Sequence, residues 1–328
     1  MNQCEAVINN CKYVNTIKDC YFDIILDMQL LEENDFEYSS VLGISNKFIN
    51  GIWSIERFCE YFENKIVLSA LSHKEFESCM IEPATLLRKS FERLKKVHKK
   101  TLENNKELTE EEITDGEIGE VFLYGIMHDY YQAINLVPKI FYKQSTNDTV
   151  KGADSVHITL SNDEVGVWFG EAKFYKDIDK AIDSAVESVI KFLNASYNKE
   201  ISISYDCLEK EQLKNEINDD SKYSLLEYIL KVENIDILKK HLHIPILILY
   251  ECDITKSSKS QEELKDKNII DIFKNKSYEL LKKHVEELKK NNIYNYKSIK
   301  FHVILLPYTD KKKIMDKFYN INYQYRCF

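Results

Sequence analysis

The sequence predicts an α/β protein in which a mixed β-sheet is flanked by helices, and three observations carry that expectation. Apolar residues recur at helical spacing over 85–102 and again over 178–193. Between these stretches, Gly152–Leu160 and Val165–Lys173 have strand character and flank the turn-forming run Ser161-Asn162-Asp163-Glu164. From residue 114 onward the elements read helix, strand, strand, strand, helix, strand, an order that builds a sheet covered by helices rather than a bundle or a sandwich.

Taken in order, alternating apolar residues near Tyr21–Leu31 suggest a strand and Ile55–Phe62 a short helix, so residues 1–105 are expected to form an N-terminal α/β lobe. Leu86, Leu87, Phe91, Leu94 and Val97 mark an amphipathic helix whose last turns carry Lys95, Lys96, Lys99 and Lys100. Glu103–Thr109 reads as a linker, and Thr114 or Asp115 as the N-cap of a helix running to about Ala133. Pro138 opens a short strand at Lys139–Tyr142, ahead of the two longer strands. A helix over Ile178–Leu193 has Ile182, Val186, Val189, Ile190 and Leu193 on one side. Residues 195–243 form a charged, helical insertion, followed by a strand at Ile244–Glu251 and a Lys/Glu-rich helix around 276–291. A last strand spans Ile299–Leu306, and Pro307 ends it. Residues 106–328 are thus expected to form the second, larger domain.

Composition narrows the function. A net charge of −9 excludes a protein that holds nucleic acid by bulk positive charge. No run approaches the roughly 20 apolar residues of a bilayer span, and no basic segment followed by an apolar one marks a secretory signal, so no membrane association and a cytoplasmic location are expected. The eight cysteines include no C-x-x-C pair, the pattern of reduced packing thiols. There is no G-x-x-x-x-G-K-[ST], H-E-x-x-H or nucleophile elbow, so any ATP-driven motor must be another protein. Six of the eight glycines fall between residues 116 and 170, which locates backbone crowding or close ligand approach there.

The strand pair also concentrates ionisable residues. If Asn162 and Asp163 form a two-residue turn, Asp154 lies opposite Glu171 and Gly152 opposite Lys173. Strand alternation puts Glu171 and Lys173 on one face, above Val156, Ile158, Leu160, Phe169, Val167 and Val165. Two facing carboxylates repel unless a cation neutralises them, and an oxygen-only donor set suits Mg²⁺ or Mn²⁺. The plainer alternative is a structural ion-pair network at a sheet end. His157, by alternation, faces away from Asp154. His241 and His243 lack a suitably spaced cysteine or acid, so packing is the expected role of all three.

Gly152-Ala153-Asp154 followed by Gly170-Glu171-Ala172-Lys173 resembles the PD-(D/E)XK nuclease superfamily, with alanine in place of the proline of its name. The resemblance implies a restriction-endonuclease-like sheet, metal ligation by Asp154 and Glu171, and a catalytic role for Lys173. It also implies an acid on the preceding helix, for which Gly116-Glu117-Ile118-Gly119-Glu120 offers Glu120 as the metal-proximal group and Glu117 as its alternate. The run from Gly116 through Tyr175, with Ile244–Tyr250 and His302–Pro307, further resembles the HamA family, the nuclease subunit of the Hachiman antiphage system. That resemblance implies a DNA substrate and a helicase partner similar to HamB. Lys143, Lys151, Lys176 and the 95–100 cluster are candidate phosphate contacts. The competing expectations are a restriction endonuclease of the same superfamily and a non-catalytic, helicase-binding regulator.

Overall fold

Segments rich in Val, Ile and Leu pair into a seven-stranded mixed sheet in the computed structural model. The structure describes residues 21–30, 35–72, 75–76, 78, 82–103, 110–137, 153–161, 164–196, 213–214, 217–231 and 235–326. The strands are β1 (Phe22–Gln29), β2 (Ser39–Asn46), β5 (Ile134–Val137), β6 (Ser155–Leu160), β7 (Val165–Tyr175), β8 (Leu242–Glu251) and β9 (Lys300–Tyr308), in the order β1-β2-β9-β8-β7-β6-β5. β2, β9, β8 and β7 run parallel, while β1, β6 and β5 pair antiparallel to their neighbours. Between β2 and the first helix, β3 (Phe48–Ile49) and β4 (Ile52–Trp53) form a small hairpin whose turn residues Asn50 and Gly51 both have positive φ, as a type I′ turn requires.

Helices cover both faces. One face carries α1 (Ile55–Ala70), α2 (Pro83–Glu103), α3 (Glu110–Asp129) and α8 (Lys311–Arg326). The other carries α4 (Ile178–Lys191), α5 (Asp220–Lys231), α6 (Ile235–His241) and α7 (Lys267–Lys290). Two separate apolar cores result, and β7 contributes to both: Val165, Val167 and Phe169 enter the α4 side, Trp168, Ala172 and Phe174 the α3 side. No helix among the described residues is long and apolar enough to cross a membrane. The two described cysteines, Cys59 and Cys252, are buried free thiols, and burial pushes the Cys59 thiol up to about 12.

Several sequence expectations are revised. β1 and β2 belong to the same sheet as β7–β9, so the boundary expected near residue 105 does not separate two sheets. β2 was not distinguished from the sequence. Its Val41 faces one core while Leu42 and Ile44 face the other, and a strand buried on both sides shows no alternation. α3 starts at Glu110, four residues before Thr114. It stops at Asp129 because Gln132 adopts a left-handed conformation and Ala133 N–H bonds back to the Met127 carbonyl. β5 therefore precedes Pro138. β9 runs through Pro307 to Tyr308, and α8 follows it, a helix not anticipated. Of the linker expected at 103–109, Glu103 ends α2 and the rest lies outside the described residues, as do the strand at 139–142, Lys143, Lys151, Gly152, the turn residues 162–163, much of the 195–243 insertion and the side chains of the 95–100 lysines.

α3 lies directly on β7, and glycine makes the approach close. A Cβ at Gly119 would sit 3.2 Å from that of Ala172, and one at Gly170 would meet Ser155 Oγ at 2.3 Å and Leu123 Cδ2 at 2.7 Å. Crowding by the chain's own side chains thus explains these two glycines. Gly170→Val is expected to destabilise the fold by about 1–3 kcal/mol, read as a lower urea midpoint at unchanged slope.

Buried imidazoles make the fold acid-sensitive. His243 stacks on Trp168 with ring centroids 4.2 Å apart, and its Nδ1 lies 2.9 Å from His302 Nε2; His302 Nδ1 in turn lies 2.9 Å from Ser40 Oγ. His157 packs on Tyr124, and His284 Nδ1 meets the Leu280 carbonyl. Burial pushes these groups down, His243 to about 2, His157 and His302 to about 3, and His284 to about 4. Their folded values lie below the unfolded value near 6.5, so the unfolded chain binds more protons as pH falls from about 6.5 toward 4. Stability is expected to fall over that window by up to about 1.4 kcal/mol per pH unit for each histidine, measurable by urea unfolding at pH 7.5, 6 and 5.

Candidate active site

β6 and β7 are held in the register expected from the sequence: Ser155 pairs with Gly170, Val156 with Phe169, and so on to Leu160 with Val165. Asp154 stands just past the end of this ladder. Its N–H donates to the Gly170 carbonyl at 2.6 Å, and its Oδ2 accepts from Ala172 N–H at 2.9 Å. The Asp154 carboxylate is thereby fixed against β7 beside Glu171, close enough that the two charges repel.

Glu171 and Lys173 project on the α4 face, continuing the apolar line of Val167 and Phe169. Lys173 Nζ lies 2.6 Å from Glu171 Oε1 and donates to Ser188 Oγ at 3.0 Å. Both side chains are largely buried, with 14% of Lys173 and 9% of Glu171 exposed. α4 is locked in place by Asp177, whose carboxylate accepts from Asp179 and Lys180 N–H at 2.9 and 3.0 Å, so the helix starts two residues after β7 ends. One turn before Ser188, Ser184 contacts the Tyr175 hydroxyl at 3.2 Å. Sequence reading passed over these serines, although two serines four residues apart at the edge of an apolar helical stripe were a readable signal.

Burial pushes the Glu171 carboxyl up to about 7, and the neighbouring Asp154 carboxylate adds to the effect, against the pull of Lys173. Burial opposes the charge on Lys173, but the Glu171 and Asp154 carboxylates outweigh it and hold the ammonium above its ordinary value. Two acids and one cation therefore share a small, poorly solvated volume with an excess of negative charge. A divalent ion fits that donor set, because it would let both carboxylates ionise together.

Glu117 and Glu120 are placed differently. Both are buried on α3, which packs on the opposite face of β7 through Gly119 and Ala172. Glu120 lies one turn before Tyr124, whose ring packs on His157 of β6, so it sits on the β6 side of the helix. Among the described residues no three His, Cys, Asp or Glu side chains gather as a metal-binding group. The structure thus brings Asp154, Glu171 and Lys173 together, and sets α3, the helix that carries Glu117 and Glu120, against the other face of β7.

A mixed, helix-covered sheet carrying this acid–acid–lysine group on its β6–β7 pair is an α/β fold of the restriction-endonuclease-like class. No curated protein and no solved structure gave a match. The chain belongs to the HamA family, whose family model matches residues 19–321. Membership carries a role in antiphage defence, that of the Hachiman system.

The raised Glu171 carboxyl has a thermodynamic consequence. Its folded value, about 7, exceeds the ordinary 4.5, so ionising it costs folded-state stability as pH rises through that interval. In a chelating buffer, Glu171→Gln is expected to match the parent chain near pH 4 and to exceed it by on the order of 3 kcal/mol at pH 8.5. Urea unfolding of both proteins across that range is the measurement, and a constant difference would count against the burial of this charge.

Proposed function

We propose that this chain is a divalent-metal-dependent nuclease that acts on DNA as the effector of Hachiman defence, in concert with a helicase similar to HamB. The observation that carries the reading is the convergence of Asp154, Glu171 and Lys173 at the end of an apolar wall, with one carboxyl driven toward neutrality. Family membership supports the defence context. The absence of any ATP-binding loop motif in the sequence accords with a separate motor.

Asp154 and Glu171 would hold the ion, Mg²⁺ or Mn²⁺, which when bound supplies Lewis-acid activation of a phosphodiester and of water. Asp154 keeps one oxygen for this purpose, because Oδ2 is tied to Ala172 N–H. Lys173, held as an ammonium beside Glu171, would orient water and offset negative charge developing on the phosphate. Glu120 is the further ligand candidate and Glu117 its alternate, both buried on α3. Lys176, next to Tyr175 at the end of β7, is a candidate phosphate contact. The protein's overall charge of −9 leaves steering of DNA to such local groups or to a partner.

The purified chain, freed of any partner, is expected to nick or degrade plasmid DNA with Mg²⁺ or Mn²⁺ and to stop on chelation. Glu171→Ala and Lys173→Ala are each expected to lower the rate about a hundredfold or more. Discrete fragments would favour a restriction endonuclease. Intact plasmid with both ions would favour the non-catalytic regulator, for which the closed Glu171–Lys173 ion pair is the supporting observation.

A further inference from the structure

α4 contributes more to this site than its apolar stripe. Ser188 lies on the helix edge facing β7, partly exposed, between the buried residues Val186 and Val189. Its hydroxyl oxygen accepts from Lys173 Nζ at 3.0 Å. Lys173 Nζ also lies 2.6 Å from Glu171 Oε1, so the ammonium bridges the carboxylate on its own strand and the hydroxyl on α4.

Geometry makes the hydroxyl consequential. A lysine ammonium is a point charge on four rotatable carbons with three protons to place. One contact to Glu171 leaves the head group free to swing about that oxygen. A second contact, from a helix rather than from its own strand, removes the swing and leaves one N–H directed away from both partners. The backbone of α4 is itself rigidly placed, by the Asp177 cap at its start and by Ala181, Ile182, Ala185 and Val186 buried against the sheet.

The geometry points to Ser188 as a positioning residue that fixes the direction of the Lys173 ammonium and couples it to Glu171. The inference rests on the nuclease reading for its effect on turnover, but the positioning itself is a property of the folded chain. Ser184, four residues earlier, makes the equivalent contact to Tyr175, which shares the face of Glu171 and Lys173, so the helix edge meets alternate residues of β7 in turn.

The test compares full-length wild type, Ser188→Ala, Ser188→Thr and Ser188→Cys by two readouts. The first is divalent-dependent plasmid cleavage, resolved into kcat and KM. The second is the rate at which a small acylating reagent modifies Lys173 at pH 8, followed by peptide mass spectrometry without any metal. Alanine is favourable inside a helix and is expected to fold normally, as circular dichroism would report. The expected result for Ser188→Ala is a kcat lowered about ten- to a hundredfold with KM within twofold, since small misplacements of a catalytic group cost this much. Lys173 acylation is expected to rise several-fold. Threonine, which keeps the hydroxyl, should restore both readouts; cysteine, a poor acceptor of similar size, should not. If Ser188→Ala matches wild type in both, the positioning role is overturned while the nuclease reading stands. If wild type and Lys173→Ala are equally inactive on DNA, the nuclease reading falls, and the acylation rates alone decide whether Ser188 holds the ammonium.

Discussion

Alternation along β7 is the constraint on which the rest of the structure depends. Both faces of this strand are buried, so each residue is committed to one core or the other, and a slip of one position would exchange them all. In the observed register the α4 side receives Val165, Val167, Phe169, Glu171 and Lys173, and the α3 side receives Trp168, Ala172 and Phe174. Slipped by one, the two charged side chains would lie under α3, where Gly119 leaves room for nothing larger than the methyl of Ala172. The tight glycine contacts of α3 and the serine edge of α4 therefore enforce the same register from opposite sides.

Local charge at the site works against its surroundings. A carboxyl pushed up to about 7 beside a second acid represents stability given up, and such concessions are expected where chemistry rather than packing selects the residue. The ion pair with Lys173 offsets part of that cost. By contrast, the histidines deeper in the fold are held neutral by burial, and the stacked His243–His302–Trp168 group serves as polar packing within the sheet.

Legibility in the sequence followed the physics of each element. β6 and β7 could be read because β-branched and aromatic residues run on either side of a clear turn signal, and α4 because its apolar residues repeat at helical spacing behind a clear cap. The placing of Asp154 beside Glu171 followed from the assumed two-residue turn, and the observed ladder keeps that register from Ser155–Gly170 to Leu160–Val165, one pair short of Asp154. β2 resisted reading because parallel strands between two cores lack alternation. α3 was misplaced at both ends because it is buried on nearly all sides, against β7 and against Phe58 and Tyr61 of α1, so no polar face frames it. Its acids, Glu117 and Glu120, could be put on a common helical face from spacing, but only the packing of Gly119 on Ala172 shows which side of the sheet that helix covers. Ser188 escaped notice because a serine announces nothing until the lysine it touches is known.

β9 lies between β8 and β2, pairing Ser39–Gly43 with Phe301–Leu305 and Ile244–Glu251 with Phe301–Tyr308. Segments some 260 positions apart must therefore find each other before the sheet is continuous. Until β9 is in place, the β1–β2 pair has one open edge and the site-bearing strands have another, and the same strand closes both. Such long-range closure makes for slow folding and for half-built species with sticky edges, so the site-bearing strands gain their full setting only once two distant stretches of chain have met.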